Sequence, residues 1–231
     1  LQLTASGMAV ALEPLASLRL RVQLRDMLLF APPSWIGLVD RGRSSVRRYA
    51  NRDTVQCFQD AGLLTEADPV VASWWDEVAN HTRLKRQKRL LEIGRQGEWL
   101  SMEYEEHRVG RRPHWMSLDS TDAGYDLISL VERGSEEPLV IEVKASEEPW
   151  EFAYFHLSRN EWAVLSAQRH AMIHLWSLAF RHPFHHILDI KTLAAHIPND
   201  MGTGKWEAVR VPFQVAGSGA AVVLHTSSGR S

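Results

Sequence analysis

The chain has 231 residues, of which 45% are hydrophobic and 23% charged, the composition of a globular protein with a sizeable core. Its formal net charge of −2 excludes a protein held to nucleic acid by bulk positive charge alone, but a local basic groove remains compatible with it. The single cysteine, Cys57, permits no intramolecular disulfide. With no membrane-length apolar run and no secretory signal in the sequence, we predict a cytoplasmic protein.

Residues 1 to about 82 are predicted to form a helical domain that binds DNA or a partner. The stretch "LASLRLRVQLRDMLLF" is compatible with a buried helix. A second helix is predicted at "DPVVASWWDEVANH", with Asp68 as its cap and Pro69 at its first position. The opening "LQLTASG" is similar to the end of the wing in a winged helix, and a frayed strand or a chain terminus explains it equally well.

The charge run "RLKRQKR", residues 83–89, marks the predicted domain boundary, so the second domain spans residues 83–231. The next stretch has apolar residues at helical spacing, and we predict a helix that is interrupted at Gly94 and Gly97. The periodicity then changes to that of strands. Strands are predicted at "HWMSLDS", "YDLISLVE", "LVIEVKA", "EFAYFHL" and "AMIHLWSL", a helix at "SRNEWAVLSAQRH", and later come "HHILDI", the helix-like "TLAAHI" and "KWEAVRVPFQV".

Two carboxylates and an ammonium lie in the apolar second and third of these strands. Because side chains alternate along a strand, Glu142 and Lys144 share one face and Val143 faces the other. Asp126 opens the preceding strand, and a hairpin would bring it to the same end of the sheet as Glu142. Neighbouring carboxylates repel each other unless a cation neutralises them. We therefore predict that Asp126, Glu142 and the carbonyl of Val143 bind Mg²⁺ or Mn²⁺.

Lys144 has a role beside such a metal. Its ammonium would hold the attacking water in line, assist its deprotonation or offset charge in the transition state. An edge strand with exposed charges is the alternative explanation. The sequence around Glu142, "LVIEV", is apolar on both faces and favours a functional site.

Four motifs follow one another in this region: "GRQGEW", "AGYDLIS", "IEVKAS" and "LSRNEW". With the Asp–Glu–x–Lys arrangement, they resemble the PD-(D/E)XK nuclease superfamily. The closer resemblance, over about residues 90–180, is to the domain at the C-terminus of the plant NO VEIN protein, which also occurs in bacterial restriction and phage-defence proteins. The resemblance implies an α/β fold, with a mixed central sheet flanked by helices in a restriction-endonuclease-like core.

The same resemblance assigns roles to individual residues. It implies that Asp126 and Glu142 are metal ligands and that Lys144 is the catalytic lysine. It also implies that Glu98, on the preceding helix, completes the metal shell or orients a water, although an exposed helix acid explains Glu98 equally well. Tyr125 stands where the superfamily motif has Pro, a departure that is common among its members.

Further residues are candidates for contacts with nucleic acid. Ser158 and Asn160 lie at a predicted helix start, where free N–H groups would meet a phosphate. Glu161 completes a capping box with Ser158, and we predict that capping is its main role. Four basic residues are predicted to contact phosphates, with solvated helix faces as the alternative: Lys85, Arg86, Arg111 and Arg112.

These observations favour a metal-dependent nuclease, specifically a DNA endonuclease of a bacterial defence or restriction system. The alternative is a catalytically silent nuclease-fold subunit that binds DNA or a partner. A third reading is a transcriptional or signalling module built around the wing-like N-terminus. The sequence contains no G-x-x-x-x-G-K-[ST] loop, so a helicase or other ATPase subunit is a predicted partner, and a second copy of the chain is another.

Overall fold

The structure, a computed structural model, describes residues 3–120, 122–200 and 204–217. The chain divides into two compact units, Leu1–Arg89 and Leu90–Ser231. This division and the predicted boundary at residues 82–83 both fall within one long helix, and the functions assigned to the two parts stay predictions. None of the described helices combines the length and the apolar composition that a membrane span needs.

The first unit is helical, as predicted. Leu28, Val46, Phe58 and Val78 are fully buried in its core. Its described elements before the long helix are α1 (Ala5–Leu12), α2 (Ala16–Phe30), a 3₁₀ helix (Ile36–Arg41), α3 (Ser44–Tyr49) and α4 (Arg52–Asp60).

The opening segment that is similar to a wing has a helical conformation in its described part. Thr4 accepts a hydrogen bond from the Gly7 N–H and thereby caps α1, which begins at Ala5. Leu1 and Gln2 lie outside the described residues.

Helix α5 (Pro69–Val109) is 41 residues long. It begins as predicted, because the Asp68 carboxylate accepts hydrogen bonds from the Val70 and Val71 N–H groups at 2.8 and 3.1 Å. The predicted interruption was wrong, since Gly94 and Gly97 both lie inside the continuous helix. The charge run between the two predicted helices consists of Lys, Arg, Gln and Leu, which are good helix formers and extend the helix through this stretch.

The second unit contains a five-stranded mixed sheet, which confirms the predicted α/β class. The order is β1-β2-β3-β5-β6, in which only β3 and β5 pair in parallel. The strands are β1 (His114–Trp115), β2 (Leu127–Leu130), β3 (Pro138–Ser146), β5 (Ala171–Ser177) and β6 (Phe184–Asp189). Two further strands, β4 (Tyr154–Ser158) and β7 (Ala208–Pro212), form a separate antiparallel ribbon.

The remaining helices of this unit are α6 (Met116–Asp119), α7 (Arg159–Ala167), α8 (Ile190–Ala194) and a 3₁₀ helix (Phe213–Ala216). The first of them corrects a prediction, because "HWMSLDS" is a strand only at its first two residues and then turns into α6. The β2–β3 hairpin is present as predicted, with Leu127 opposite Ile141.

Different elements cover the two faces of the sheet. On one face, Met102 of α5 packs with Ile141 and Val143 of β3. On the other face, Val140 of β3 lies in one cluster with Leu165 of α7 and with apolar residues of the β4–β7 ribbon. Because both faces are covered, a charged side chain in the middle of β3 is buried and requires polar partners.

Candidate functional site

Strand β3 places Glu142 and Lys144 next to helix α7. Glu142 is 4% exposed, and its Oε1 lies 2.7 Å from the Lys144 Nζ. The same Nζ donates a hydrogen bond of 2.9 Å to Glu161 Oε1 on α7. Burial acts to lower the pKa of Lys144, but Glu142 and Glu161 together raise it above its ordinary value. The direction of this shift favours the ammonium form of Lys144 beside these two acidic side chains.

Asp126 lies directly before β2, where the pairing with β3 ends. Its backbone N–H donates to the Ile141 carbonyl at 3.0 Å, and its carboxylate Oδ2 accepts the Val143 N–H at 2.7 Å. The Asp126 carboxylate thus takes the place of the backbone carbonyl that a neighbouring strand would offer to the Val143 N–H. Since the N–H and C=O of one strand residue point to the same edge, the Val143 carbonyl is directed to the Asp126 side of β3.

The two strand carboxyl groups retain protons more readily than ordinary carboxyl groups. Burial raises the pKa of Asp126 to about 6, against the hydrogen bond from Val143, and the charge of Glu98 acts in the same direction as burial. Burial also raises the pKa of Glu142 well above its usual range; Lys144 opposes this shift and the charge of Asp126 adds to it. A bound cation would favour the charged forms of both groups.

Glu98 lies on α5, and hydrogen bonds fix its carboxylate. Its Oε2 accepts from Arg95 at 2.8 Å, from the Ser117 hydroxyl and from the indole N–H of Trp115. The charge of Glu98 acts to raise the pKa of Asp126, after the larger effect of burial. The three donors were not predicted. Arg95 lies one turn earlier on the same helix, whereas the positions of Trp115 and Ser117 depend on the turn of the chain from β1 into α6.

Glu161 has two roles in the structure. It completes the predicted capping box, since its Oε2 accepts the Ser158 N–H at 2.6 Å and its own N–H donates to the Ser158 hydroxyl at 3.2 Å. The contact of its other oxygen with Lys144 was not predicted. Burial acts to raise the pKa of Glu161, but Lys144 outweighs it and the net shift is downward. The sequence signalled only the cap, since its Ser–x–x–Glu spacing is local.

The residues predicted to contact nucleic acid lie in several places. Ser158 and the exposed Asn160 are at the start of α7, beside Glu161. Arg111 and Arg112 are exposed between α5 and β1. Arg112 forms an ion pair with Glu106 at 2.5 Å and lies over an indole ring.

The other two basic candidates, Lys85 and Arg86, belong to the first unit. Lys85 is exposed, and Arg86 forms an ion pair of 3.0 Å with Asp40. Contacts of any of these basic residues with phosphates stay a prediction.

The donor chemistry at Asp126 and Glu142 fits a hard cation. The buried carboxylate of Glu142, the half-buried carboxylate of Asp126 and the carbonyl of Val143 supply only oxygen atoms, which are the ligands that Mg²⁺ and Mn²⁺ prefer. Within the described residues, no group of three or more His, Cys, Asp or Glu side chains is arranged to hold a metal. Mg²⁺ does not require such a cage, because it is commonly bound by one or two carboxylates, waters and a substrate phosphate.

The fold and the site together define an α/β domain with a buried carboxylate–lysine cluster. Residues 97–180 match the family described as Protein NO VEIN, C-terminal. The match confirms the resemblance predicted from the four motifs, and it includes Glu98, Asp126, Glu142 and Lys144. The comparisons found no match among curated proteins and none among solved structures. Membership of the PD-(D/E)XK superfamily stays a prediction.

Proposed function

We propose that the unit of residues 90–231 is a divalent-metal-dependent nuclease that hydrolyses phosphodiester bonds, acting as a DNA endonuclease in a bacterial defence or restriction system. The observation that carries this proposal is the placement of Lys144 between Glu142 and Glu161, beside the strand end where the Asp126 carboxylate meets β3. The proposed role in defence or restriction rests on the family resemblance alone.

Asp126, Glu142 and the Val143 carbonyl would hold the cation. When bound, Mg²⁺ or Mn²⁺ would polarise a phosphoryl oxygen and lower the pKa of a water. Lys144 has three N–H donors, and two are directed at Glu142 and Glu161. The third is suited to a phosphate oxygen or to the attacking water. Because its pKa is raised, Lys144 acts as a charged donor that stabilises developing negative charge rather than as a general base.

Two further acids position the groups that react. Glu161 holds the ammonium from the α7 side, so the direction of the third Lys144 donor depends on it. Glu98 is fixed by its three donors and acts on Asp126 through its charge. In the proposed mechanism, Glu98 would complete the metal shell or orient a water, and its hydrogen bonds with Trp115 and Ser117 fix the turn of the chain from β1 into α6.

The proposal is tested by cleavage of plasmid DNA with Mg²⁺. The variants Asp126→Ala, Glu142→Ala and Lys144→Ala are each expected to reduce the cleavage rate at least about 100-fold, the scale at which removal of a transition-state donor acts. Glu136→Ala, in the exposed loop between β2 and β3, is the matched control and should retain the rate. Cleavage that survives all three changes would refute the proposal.

Metal binding has a second readout that does not depend on activity. A ligand that binds only the folded state stabilises it in proportion to the logarithm of its concentration. Mn²⁺ is therefore expected to raise the melting temperature of the wild type, and chelation should abolish cleavage. Asp126→Ala and Glu142→Ala should show no such rise, and an equal rise in both variants would exclude these residues as ligands.

One observation favours the second candidate function, a silent subunit that binds DNA or a partner. The sequence has no G-x-x-x-x-G-K-[ST] loop and a formal net charge of only −2, which is compatible with a subunit that acts together with a partner. For such a subunit, DNA binding or complex formation would be the same in wild type, Asp126→Ala and Glu142→Ala, and none of them would cleave DNA.

A further inference from the structure

The β4–β7 ribbon has one face that no described element covers. Along β4, Phe155 and Leu157 are buried in the core, whereas Tyr154 and His156 point outward. Tyr154 is 41% exposed, and Phe152, in the turn before the strand, is 72% exposed. Exposed aromatic side chains that are grouped on one surface are a feature of interaction sites.

A guanidinium completes this surface. Arg210 of β7 lies directly opposite His156, so both side chains are on the outward face. The Arg210 guanidinium carbon is 3.3 Å from the centroid of the Tyr154 ring, and the Tyr154 and His156 rings meet edge to face at 5.7 Å. We call Phe152, Tyr154, His156 and Arg210 the ribbon aromatic surface.

Aromatic rings beside a cation are the chemistry that recognises nucleic-acid bases next to a charged backbone. Bases stack on aromatic side chains and on Arg planes, and the guanidinium also binds phosphate. Successive outward side chains of a strand are about 6.6 Å apart, roughly twice the 3.4 Å rise per nucleotide of a stacked duplex strand. The surface therefore fits a single strand with separated bases, since paired bases do not present their faces.

The surface leads directly to the candidate site. Ser158 ends β4 on the same alternation as Tyr154 and His156, and it caps α7. Its N–H and hydroxyl both contact Glu161, and Glu161 binds Lys144. A strand that follows β4 toward its C-terminal end thus reaches the exposed α7 start next to the ammonium.

We infer that the ribbon aromatic surface binds single-stranded nucleic acid and delivers its backbone to Lys144. The delivery step rests on the proposed nuclease function and names its substrate class as single-stranded over duplex. The binding step stands on the surface alone, so the two parts are tested separately.

Binding is measured with the full chain in EDTA, where no metal-dependent cleavage occurs, by fluorescence anisotropy of a labelled oligothymidylate. Tyr154→Leu keeps an apolar strand residue but removes the ring, and it should weaken binding about tenfold, as expected for the loss of one stacked base. Tyr154→Phe should bind like the wild type. Phe180→Ala removes an aromatic residue that is 58% exposed outside the surface, and it should have no effect.

Arg210 gives an independent readout through salt. If its guanidinium contacts a phosphate, Arg210→Ala should reduce the slope of log affinity against log salt by about 0.7, the value for one phosphate contact on a single strand. Arg181→Ala, an exposed arginine in the turn between β5 and β6, is the matched control and should leave the slope unchanged.

The choice of ligand separates the outcomes. Loss of binding by Tyr154→Leu on oligothymidylate or oligouridylate, with duplex DNA unaffected, supports the inference and shows whether DNA or RNA is the natural strand. Equal effects on single strand and duplex, or no effect of Tyr154→Leu and Arg210→Ala, would overturn it. Binding that behaves as inferred while Asp126→Ala retains cleavage would leave the surface established and refute the proposed catalytic site.

Discussion

Lys144 is held by two carboxylates, and one of them also starts a helix. Glu161 accepts the Ser158 N–H through one oxygen and contacts Lys144 through the other. Substitutions can therefore distinguish its effect on the stability of α7 from its effect on Lys144. Ser158→Ala removes a cap and should cost about 1 kcal/mol of unfolding free energy. Glu161→Gln can still accept the N–H but loses its charge.

If Glu161 positions the ammonium, Glu161→Gln should lower the cleavage kcat more than Ser158→Ala does, with KM little changed. The measurement is kcat and KM for both variants together with their urea unfolding curves. A kcat loss that only follows the loss of stability in the two variants would show that Glu161 is a cap and nothing more.

Asp126 gives a prediction about pH. Its folded-state pKa of about 6 lies above the ordinary value of 3.8, so the folded chain holds this proton after the unfolded chain has released it. The stabilisation that this proton provides is fully present below pH 3.8 and is lost as the pH rises through 6. The resulting decrease in the free energy of unfolding is about 3 kcal/mol. Asp126→Asn stays neutral, and its amide oxygen can still accept the Val143 N–H.

In the metal-free protein, Asp126→Asn should therefore match the wild type near pH 3.5 and be more stable by about 3 kcal/mol at pH 7. Urea unfolding at a series of pH values measures this difference. A difference that does not change with pH would show that Asp126 ionises normally. The same variant should lose cleavage if Asp126 binds the metal as proposed, because the proposed site uses the carboxylate charge that destabilises the fold.

The sequence was sufficient to predict where the two acids lie on the hairpin but not which side chains they contact. Glu142 and Lys144 share a face because alternation in β3 is local, and Asp126 is next to them because the hairpin is short in sequence. The contact between Lys144 and Glu161 depends on how α7 packs on the sheet. No local sequence pattern predicts the distance between Lys144 and Glu161. The Ser–x–x–Glu spacing gave no sign of this contact, because the helix cap explained it fully.

At the scale of elements, the close approach of α5 to β3 depends on Gly97. A Cβ at this position would lie 2.7 Å from the Ala145 Cβ and 3.3 Å from Val143 Cγ1. Gly97→Ala should therefore destabilise the protein by about 1–3 kcal/mol, the cost of overpacking, although Ala is the better helix former. Thermal or urea unfolding measures the change.

Gly94 is the matched control in the same helix. A Cβ at Gly94 would meet nothing within 4 Å, so Gly94→Ala should stabilise the protein by up to about 1 kcal/mol. The two substitutions are chemically identical, and they are expected to change the free energy of unfolding in opposite directions. If both stabilise, α5 does not approach β3 as closely as the structure shows.

The existence of most elements could be predicted, but the pairing of β4 could not. Its pattern of buried and exposed residues is that of any half-buried strand. Its partner β7 begins at Ala208, far along the chain, and pairing at such a distance is decided by the whole core. The short α6 was missed for a similar reason, since Ser117 turns toward Glu98 in a contact that only the folded chain creates.

At the scale of the whole molecule, two buried histidines make stability sensitive to acid. His174 is fully buried, and neither of its ring nitrogens has a hydrogen-bond partner among the described residues. Burial, followed by the charge of Arg108, lowers the pKa of His174 to about 3, and burial, followed by the neighbouring His174, lowers that of His185. Both are therefore neutral in the folded protein.

Because the unfolded chain binds these protons near pH 6.5 and the folded chain does not, stability should fall as the pH drops below 6.5. His174 alone contributes up to about 1.4 kcal/mol per pH unit. The carboxyl groups of Asp126 and Glu142, whose pKa values are raised, oppose this loss. The measurement is therefore best made by urea unfolding of Asp126→Asn, in which two histidines act against one remaining carboxyl group of this kind. Unfolding free energy that stays constant from pH 6.5 to 4.5 would contradict the prediction.

The capping box at the start of α7 couples local order to reactivity. Glu161, whose side chain accepts the backbone N–H of Ser158 in this capping box, is also one of the two acids that contact Lys144. If this helix start unfolds locally, Lys144 would lose its contact with Glu161 while the sheet stays folded. Mild denaturant should consequently inactivate the protein before it melts, and any ligand that rigidifies this turn should act as an activator.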